Sequence, residues 1–292
     1  MRQKQDSLYK QFISKPPLVA AFGAGVLILG AIVLSTNHIF AFFSLASLMI
    51  VVGGVFSVAF MSYHKDDVIA ALQAIREMYR ESHATHHNLH EDMIDILDWA
   101  RIVKKFGMRG LEDKMGEDKI DDPFVTYGLN MVISNYTPDE VRAMMETAAD
   151  ACYERDNVPV QVLQSMASHA PAFGMIGTLV GMVTLMSNIG GLGGDMASMG
   201  SGLAVAFLST LYGVLSARIV YMPAAARLIQ KIDGRRFRNY LITEGMVMLV
   251  DNKKPMFIQD RLNSFLRPEI HDLLNKAPYR PQAPRLEAVK TL

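Results

Sequence analysis

Four long apolar runs alternate with polar stretches along this chain. The runs lie at about residues 18–34, 39–61, 168–189 and 201–223. Each is close to the roughly 20 residues that an α-helix needs to cross about 30 Å of hydrocarbon. We therefore expect an all-α membrane protein with four transmembrane helices, arranged as two hairpins.

The polar stretches show helical periodicity, so we expect helices outside the membrane as well. In chain order, the expected segments are a basic N-terminal segment (1–17), a first hairpin (18–61), a helical cytoplasmic domain (62–167), a second hairpin (168–224), a helical cytoplasmic tail (225–275) and a disordered, proline-rich end (276–292).

Two local patterns refine the expected cytoplasmic domain. The run Thr137-Pro138-Asp139-Glu140 combines a capping residue, a proline suited to the first turn and a glutamate three residues after the cap, which predicts a helix start. An amphipathic helix is predicted upstream by apolar residues at helical spacing, namely Ile94, Leu97, Ile102, Val103 and Phe106.

The distribution of lysine and arginine predicts which side of the membrane each segment occupies. Four basic residues precede the first span, eleven lie in residues 62–166 and thirteen follow Pro223, whereas the loops at 35–38 and 190–200 have none. This positive-inside pattern predicts that both termini and the central domain are cytoplasmic. A cleaved signal peptide is the less favoured interpretation of the first run, because no A-x-A-like site closes it and a second full span follows at once.

Composition and charge exclude several classes of function. The chain has 29 basic and 29 acidic residues and no basic tract with interleaved aromatic residues, so we expect no nucleic-acid partner. Its single cysteine, Cys152, cannot form an intrachain disulfide, in agreement with a reducing compartment. We find no phosphate-binding loop, metal-ligand set or nucleophile–base pair, so we expect neither an enzyme nor a cofactor.

Four histidines, His83, His86, His87 and His90, fall at helical spacing. Two histidines at i and i+4 can share a metal ion, so a metal site is one interpretation. No carboxylate or cysteine completes a convincing ligand set, however, and a solvated polar helix face is the interpretation that we favour.

The second hairpin is rich in small residues, namely Gly174, Gly177, Thr178 and Gly181 in one arm and Gly202, Ala206, Ser209, Thr210 and Gly213 in the other. Such residues let helix backbones approach closely in lipid, where packing drives association. We therefore expect these helices to have close protein neighbours.

Charge is almost absent from this hairpin. Between Pro171 and Ala217 the only charged residue is Asp195, in the external link. An ion path normally needs an ionisable group in the membrane, so this chain alone has no carboxylate relay. It does offer two hydroxyls at similar depth, Thr178 and Thr210, about 18 and 21 Å from the cytoplasmic helix ends. They either line an ion path or bond back to carbonyls of their own helices.

Two regions resemble a known family. The runs APAFGMIGTLVGMV and GLAVAFLSTLYGVLSA, followed by a proline near the inner end of the last span, resemble the stator subunits of the bacterial flagellar motor, the MotA/PomA family within the wider MotA/TolQ/ExbB group. A second region resembles the rotor-facing segment of that family. The resemblance lies in the spacing of Lys104, Gly107, Leu111 and Glu112, followed by an acidic pair and Pro123.

The resemblance covers about residues 18–230 and implies an ion-driven motor element in the bacterial inner membrane. It implies a ring of five copies in the lipid bilayer, around the single helices of two copies of a MotB or PomB partner. That partner carries the ion-accepting aspartate and anchors itself to peptidoglycan. The resemblance further implies that H⁺ or Na⁺ is transported and that torque is exerted on the rotor protein FliG.

The same resemblance implies roles for residues of the second hairpin. Thr178 and Thr210 match positions that line the ion path. Pro171 and Pro223 match prolines that couple ion passage to movement of the cytoplasmic domain, with a plain helix boundary as the alternative interpretation of each. Arg218 departs from the uncharged residue expected in the last span, and it either snorkels to the inner headgroups or contacts a neighbouring subunit.

In the cytoplasmic segment, the resemblance implies an electrostatic contact of Lys104 and Glu112 with FliG, joined by the neighbours Lys105 and Arg109. Many family members have arginine at the position of Lys104, and lysine offers a point charge rather than a planar fork. A solvated helix face is the alternative interpretation of each of these charges.

Two other functions compete with a flagellar stator. A TolQ/ExbB-type subunit would energise outer-membrane processes with the same chemistry, but such subunits usually have three spans. A passive membrane scaffold would carry no ion flux. Four predicted spans and the charged cytoplasmic segment favour the flagellar alternative.

Overall fold

The computed structural model describes residue 30 and residues 42–78, 84–117, 120–189 and 196–265, and the regular elements in this part of the chain are all helical. The helices are α1 (Leu45–Ser62, with a π-helical turn at Met49–Gly53), α2 (Lys65–Met78), α3 (Ala84–Glu117), α4 (Pro123–Ile133), α5 (Pro138–Ile189), α6 (Met196–Leu215), a π-helical turn (Ser216–Tyr221), α7 (Met222–Val250) and α8 (Pro255–Asn263). The expectation of an all-α protein is confirmed.

Three helical stretches in the described part are long and apolar enough to cross a membrane. They are Leu45–Ser62, Pro138–Ser187 and Met199–Val250. The second and third are much longer than a bilayer is thick at 1.5 Å per residue. The helices of the second hairpin therefore continue well beyond their apolar runs.

Several predictions concern residues outside the described part. These are the basic N-terminal segment, the first apolar run at about 18–34 and the proline-rich end. The side chains of His83, His86, His87 and His90 also lie outside it. These points stay predictions.

The chain forms two compact units. One, the membrane unit, is made by Met1–Ser82 and Tyr153–Asp233, and the other, the polar unit, by His83–Cys152 and Gly234–Leu292. The unit boundaries fall inside the long helices α5 and α7. The central block and the tail, which are separate segments in the sequence, thus contribute to one unit.

The core of the polar unit is formed by α3, α4, the first part of α5, the last part of α7 and α8. Its largest fully buried side chains are Met93, Ile96, Leu111, Leu129, Met145, Leu241, Ile242, Met246, Leu249 and Ile258. Most of them recur at three- or four-residue spacing, which places them on one face of each helix. The part of the tail between Leu241 and Leu262 therefore belongs to the same hydrophobic core as the central block.

Local sequence determines where α4 and α5 begin. Asp122 caps α4, its Oδ1 accepting from the Phe124 N–H at 2.8 Å, and Pro123 occupies the first turn. At the start of α5, the Thr137 N–H donates to the Glu140 carboxylate at 2.9 Å, and the Glu140 N–H donates to Thr137 Oγ1 at 3.4 Å. The predicted capping box is confirmed.

Arg238 joins three elements of the polar unit. Its guanidinium donates to both carboxylate oxygens of Asp92, at 2.7 Å from Nη2 to Oδ1, and also to Asp122. The three side chains are only 20, 13 and 30% exposed. Burial would raise the pKa of Asp122, but the hydrogen bond and charge of Arg238, with the N–H groups of Phe124 and Val125, lower it. Because Asp122 also caps α4, this ion pair ties the start of that helix to α3 and α7.

The membrane unit is held by α1, α2, the second part of α5, α6 and the first part of α7. Its buried residues include Val55, Ala59, Val68, Ala71, Leu163, Met166, Ala170, Ala217, Tyr221, Ala224 and Ile232. Alanine is frequent among them, so the helix axes can lie close together.

At the contact of α5 with α6, side chains as small as alanine do not fit. A Cβ on Gly181 would lie 2.6 Å from both the Gly202 carbonyl oxygen and the Ala206 nitrogen. A Cβ on Gly213 would lie 2.5 Å from the Ala170 carbonyl oxygen. Backbone therefore touches backbone, and the predicted close approach of these helices is confirmed.

We expect Arg238→Met to lower the free energy of unfolding by about 2–3 kcal/mol, because the partly buried carboxyl groups of Asp92 and Asp122 would lose their shared cationic partner. Thermal melting of the full-length chain in detergent, followed by circular dichroism, measures this. Arg101→Met is the control, since Arg101 pairs with Asp98 where both side chains are nearly half exposed and such pairs contribute at most about 1 kcal/mol. Equal melting temperatures for the two variants would contradict a stabilising role for the Arg238 ion pairs.

We expect Gly181→Ala to push α5 and α6 apart, because the added methyl group meets backbone atoms that cannot rotate away. The expected cost is about 1–3 kcal/mol of stability, measured as a lower melting temperature of the full-length chain. Gly200→Ala is the matched control, since a Cβ at Gly200 meets nothing within 4 Å. If both variants melt like the parent, the glycine contact is not needed for stability.

Candidate functional site

Two hydroxyls of α6 converge on one backbone carbonyl of α5, that of Gly174. Thr210 Oγ1 lies 3.4 Å and Ser209 Oγ 3.2 Å from this oxygen, and Ser209 Oγ is also 2.9 Å from the Ala206 carbonyl oxygen. Ser209 is fully buried and Thr210 is half-buried. A Cβ on Gly174 would lie 3.1 Å from Thr210 Cα, so the glycine permits this approach. Thr210 therefore bonds across to α5 and not to a carbonyl of its own helix.

The second candidate hydroxyl, Thr178, lies one turn further along α5. Its Oγ1 donates to the Met175 carbonyl of the same helix at 2.6 Å, and its side chain is half-buried. Thr178 is four residues from Gly174, so it projects from the same side of α5, about 6 Å further along the axis. The structure thus places both threonines near the Gly174 carbonyl: Thr210 bonds to it from α6, and Thr178 lies one helical turn beyond it on α5. Bonding to the own helix is found for Thr178 only.

Both threonines lie in apolar stripes that the described residues leave uncovered. The exposed side chains are Met175, Leu179, Met182, Val183 and Met186 on α5, and Leu203, Phe207 and Val214 on α6. Three- or four-residue spacing places Thr178 between Met175 and Met182, and Thr210 next to Phe207. In a membrane such stripes contact lipid or further helices. The two hydroxyls therefore border surfaces that another helix can occupy.

A second polar junction, which the sequence analysis missed, joins α6 to the start of α1. Tyr212 Oη donates to the Phe42 carbonyl at 2.5 Å and accepts from the Ser44 N–H at 3.1 Å. Ser47 is fully buried, and its Oγ lies 3.2 Å from the Val205 carbonyl oxygen. The sequence contains one signal for this junction, because a tyrosine inside an apolar run needs a hydrogen-bond partner. That signal does not identify the partner.

Pro171 and Pro223 have different backbone settings. Pro171 lies inside α5, which continues on both sides, so it is not a helix boundary. Pro223 is the second residue of α7, separated by one residue from the π-helical turn Ser216–Tyr221. A proline removes one backbone hydrogen bond, and its ring crowds the carbonyl four residues earlier. For Pro223 that carbonyl lies inside the wider, π-helical turn. Arg218 lies in this turn and is exposed.

The remaining candidate residues lie in the polar unit, where α3 kinks at Gly107. This glycine has φ 72° and ψ −170°, a conformation essentially restricted to glycine. Just beyond the kink, Leu111 is fully buried and anchors the segment. We refer to residues 104–113 as the charged turn.

The charged turn exposes its ionic side chains. Lys104, Lys105, Arg109 and Glu112 are all exposed. Within the described residues, no ion pair or side-chain hydrogen bond engages Lys104, Arg109 or Glu112. Lys105 Nζ lies 5.0 Å from the ring centre of Phe106. The structure thus brings the four candidate residues together on one short segment, with charges available to another molecule.

Phe106 departs from the sequence prediction. Periodicity places it in one apolar stripe with Val103, yet Val103 is buried and the Phe106 side chain is 62% exposed. The helical repeat is interrupted at Gly107, so the buried face does not extend to the residue before the kink. A glycine conformation with positive φ could not be read from the spacing of apolar residues.

Comparisons with known proteins cover most of the chain. The MotA/TolQ/ExbB proton channel family matches residues 116–239. The chain is 30% identical to Motility protein A of Borreliella burgdorferi, over 81% of this chain and 87% of that protein. It is 29% identical to the Chemotaxis protein PomA of Vibrio alginolyticus, over 85% and 94%.

A solved structure has the same fold. The flagellar MotAB stator complex from Bacillus subtilis matches with a TM-score of 0.73 and 21% identity, over 89% of this chain and 97% of that chain. With three described stretches able to cross a membrane, the chain is a multi-pass inner-membrane protein. Similarity over nearly the whole length of these relatives means that the chain belongs to the MotA/TolQ/ExbB proton channel family, and within it to the MotA/PomA type.

Proposed function

We propose that this chain is a stator subunit of the bacterial flagellar motor, which converts the flow of H⁺ or Na⁺ across the inner membrane into torque on the rotor. The observation that carries the proposal is the position of Thr178 and Thr210, in the exposed stripes of two tightly packed membrane helices. Relatives named for motility and chemotaxis support the same function.

Ion transport requires a second subunit. Between residues 171 and 217 the only charged side chain is that of Asp195, in the link between the two spans. A carboxylate in the membrane must therefore come from another chain. The matching structure is a MotAB complex, and we infer a MotB/PomB-type partner whose helix lies against the exposed stripes and carries the ion-accepting aspartate. In this proposal, five copies of the chain form a ring around two partner helices.

The threonines contribute oxygen atoms to the ion path. Each hydroxyl proton is directed to a backbone carbonyl, that of Gly174 for Thr210 and that of Met175 for Thr178. Each hydroxyl oxygen therefore keeps lone pairs for a water molecule or a partly dehydrated cation. Beside the partner's carboxylate, these oxygens replace part of the hydration that the ion loses on entering the membrane.

Two prolines lie on the helices that carry these hydroxyls or continue from them. Pro171 is two turns before Thr178 in α5, and Pro223 follows the π-helical turn after α6. Each removes a backbone hydrogen bond, so the helix bends there at lower cost. We propose that these bends couple ion passage to movement of the cytoplasmic part.

The charged turn is the proposed contact with the rotor protein FliG. Lys104, Lys105 and Arg109 present positive charge and Glu112 presents negative charge on one short segment. A rotor surface with complementary charges would be steered to this segment. This contact requires the charged turn to be cytoplasmic. The positive-inside pattern predicts a cytoplasmic location for the central block that contains it and for both termini.

We expect Thr210→Val to lower swimming speed about tenfold or more, because valine removes the oxygen from the path while keeping a similar shape. The measurement uses a strain without its own stator genes that expresses this chain together with its partner. Thr210→Ser keeps the oxygen and should retain most of the speed. Co-purification with the partner must equal that of the parent, so that lost motility is not lost assembly.

Thr184→Val is the matched control for this substitution. Thr184 Oγ1 donates to the Val180 carbonyl of its own helix at 2.8 Å, and Thr184 lies on a different face of α5 from Thr178. A passive scaffold would tolerate Thr210→Val as well as Thr184→Val, and that result would contradict an ion path. Swimming speed measured against sodium concentration at constant pH distinguishes Na⁺ from H⁺.

We expect Lys104→Glu to lower the torque of each stator unit by about half or more, because a like charge would face the rotor surface. Torque is measured on single motors turning a bead under load. Ion flow and co-purification with the partner should stay at parental values. Lys254→Glu, another exposed lysine of the polar unit, is the control. Full torque under load in the Lys104→Glu variant would argue against the contact.

A further inference from the structure

We propose that Phe106 is the apolar anchor of the charged turn, inserted into an apolar pocket with an acidic rim on the rotor protein. This inference rests on the proposed stator function. The rotor contact proposed there uses only the charged side chains of the charged turn. It adds a specific shape and chemistry to the partner surface. The ring would be covered in the complex, with cations of this chain around it.

The first argument is that the fold holds the ring outward. The Gly107 backbone, with φ 72°, interrupts the helical repeat of α3 immediately after Phe106, and the buried stripe resumes at Leu111. Gly110 then passes against the aromatic residue, since a Cβ on Gly110 would lie 2.4 Å from Phe106 Cβ. Leu111 is fully buried and fixes the far side of the turn. Two glycines and one buried leucine thus keep a large apolar side chain 62% exposed.

The second argument is the composition around the ring. Lys104, Lys105 and Arg109 are exposed on the same segment, and Lys105 Nζ lies 5.0 Å from the ring centre. An aromatic centre with a charged rim is the arrangement found at energetically dominant positions of protein interfaces. Lys104 and Lys105 directly precede the ring, whereas the two exposed anions of the segment, Glu112 and Asp113, follow it by six and seven residues. The rim that faces the cations beside the ring is therefore acidic. The ring itself requires an apolar pocket within that acidic rim.

The third argument concerns what charges alone can do. Exposed ion pairs are weak, and at physiological salt the charges are screened beyond about 8 Å. Burial of an aromatic ring is not screened by salt, and it defines one docked position because the ring is rigid. A contact that transmits force needs such a position, whereas the charges mainly guide the approach.

The test compares Phe106→Ala with a matched variant at Phe257. Phe257 is also an exposed phenylalanine of the polar unit, 53% exposed, with Lys253 Nζ 6.0 Å from its ring centre. In single-motor bead measurements, Phe106→Ala should lose about half or more of the torque per stator unit. Phe257→Ala should match the parent, and Phe106→Tyr, which keeps the ring, should retain most of the torque.

Several outcomes would overturn the anchor. Parental torque for Phe106→Ala would do so, as would torque for Phe106→Tyr as low as for Phe106→Ala. Ion flow and co-purification with the partner are measured for each variant, and a parallel loss of either in Phe106→Ala would mean a folding defect and count against the anchor.

Failure of the anchor can be told apart from failure of the stator function. If Lys104→Glu and Thr210→Val impair motility and Phe106→Ala does not, only the anchor is wrong. If the strain without its own stator genes does not swim when this chain is expressed with its partner, and the chain instead restores outer-membrane uptake to a strain that lacks it, the stator function itself is wrong.

Discussion

The membrane unit depends on backbone-to-backbone contact between two helices. At Gly181 and Gly213 the atoms of α6 and α5 leave no room even for a methyl group. In lipid, apolar surface gives helices no reason to associate, so such close packing is what holds a helical pair together. It also determines where polar atoms meet, because Ser209 and Thr210 reach the Gly174 carbonyl only while α6 lies directly against α5.

The polar unit solves a different problem, which is to present an exposed segment without letting it unfold. The charged turn is shaped by the Gly107 kink in its interior and is held at its far side by buried Leu111. Downstream, the chain reaches Asp122, which caps α4 and also binds Arg238 from the tail. Arg238 lies more than a hundred positions after Asp122 in the chain. The position of the start of α4, which follows the charged turn, therefore depends on the tail as well as on its own sequence.

Much of this architecture could be predicted from sequence, where the signals are local. Apolar run length predicted membrane helices, small residues predicted the close approach at Gly181, and the order of residues from Thr137 to Glu140 predicted the start of α5. The rest depends on contacts between residues far apart in the chain. No local pattern indicates that Thr210 bonds to α5, that the tail enters the core of the central block, or that Phe106 is exposed before a glycine with positive φ.

The π-helical turn Ser216–Tyr221 has a consequence for chain length. Buried Gly213, Ala217 and Tyr221 follow one another at intervals of four residues, which overshoots the 3.6 residues of an α-helical turn. The wider turn compensates and keeps these residues on one side of the helix. Removal of one residue from it would turn the following segment by about 100° and carry the small buried side chains of α7 out of the core. This stretch therefore depends on its number of residues more than on their identity, and deletions there are more disruptive than substitutions.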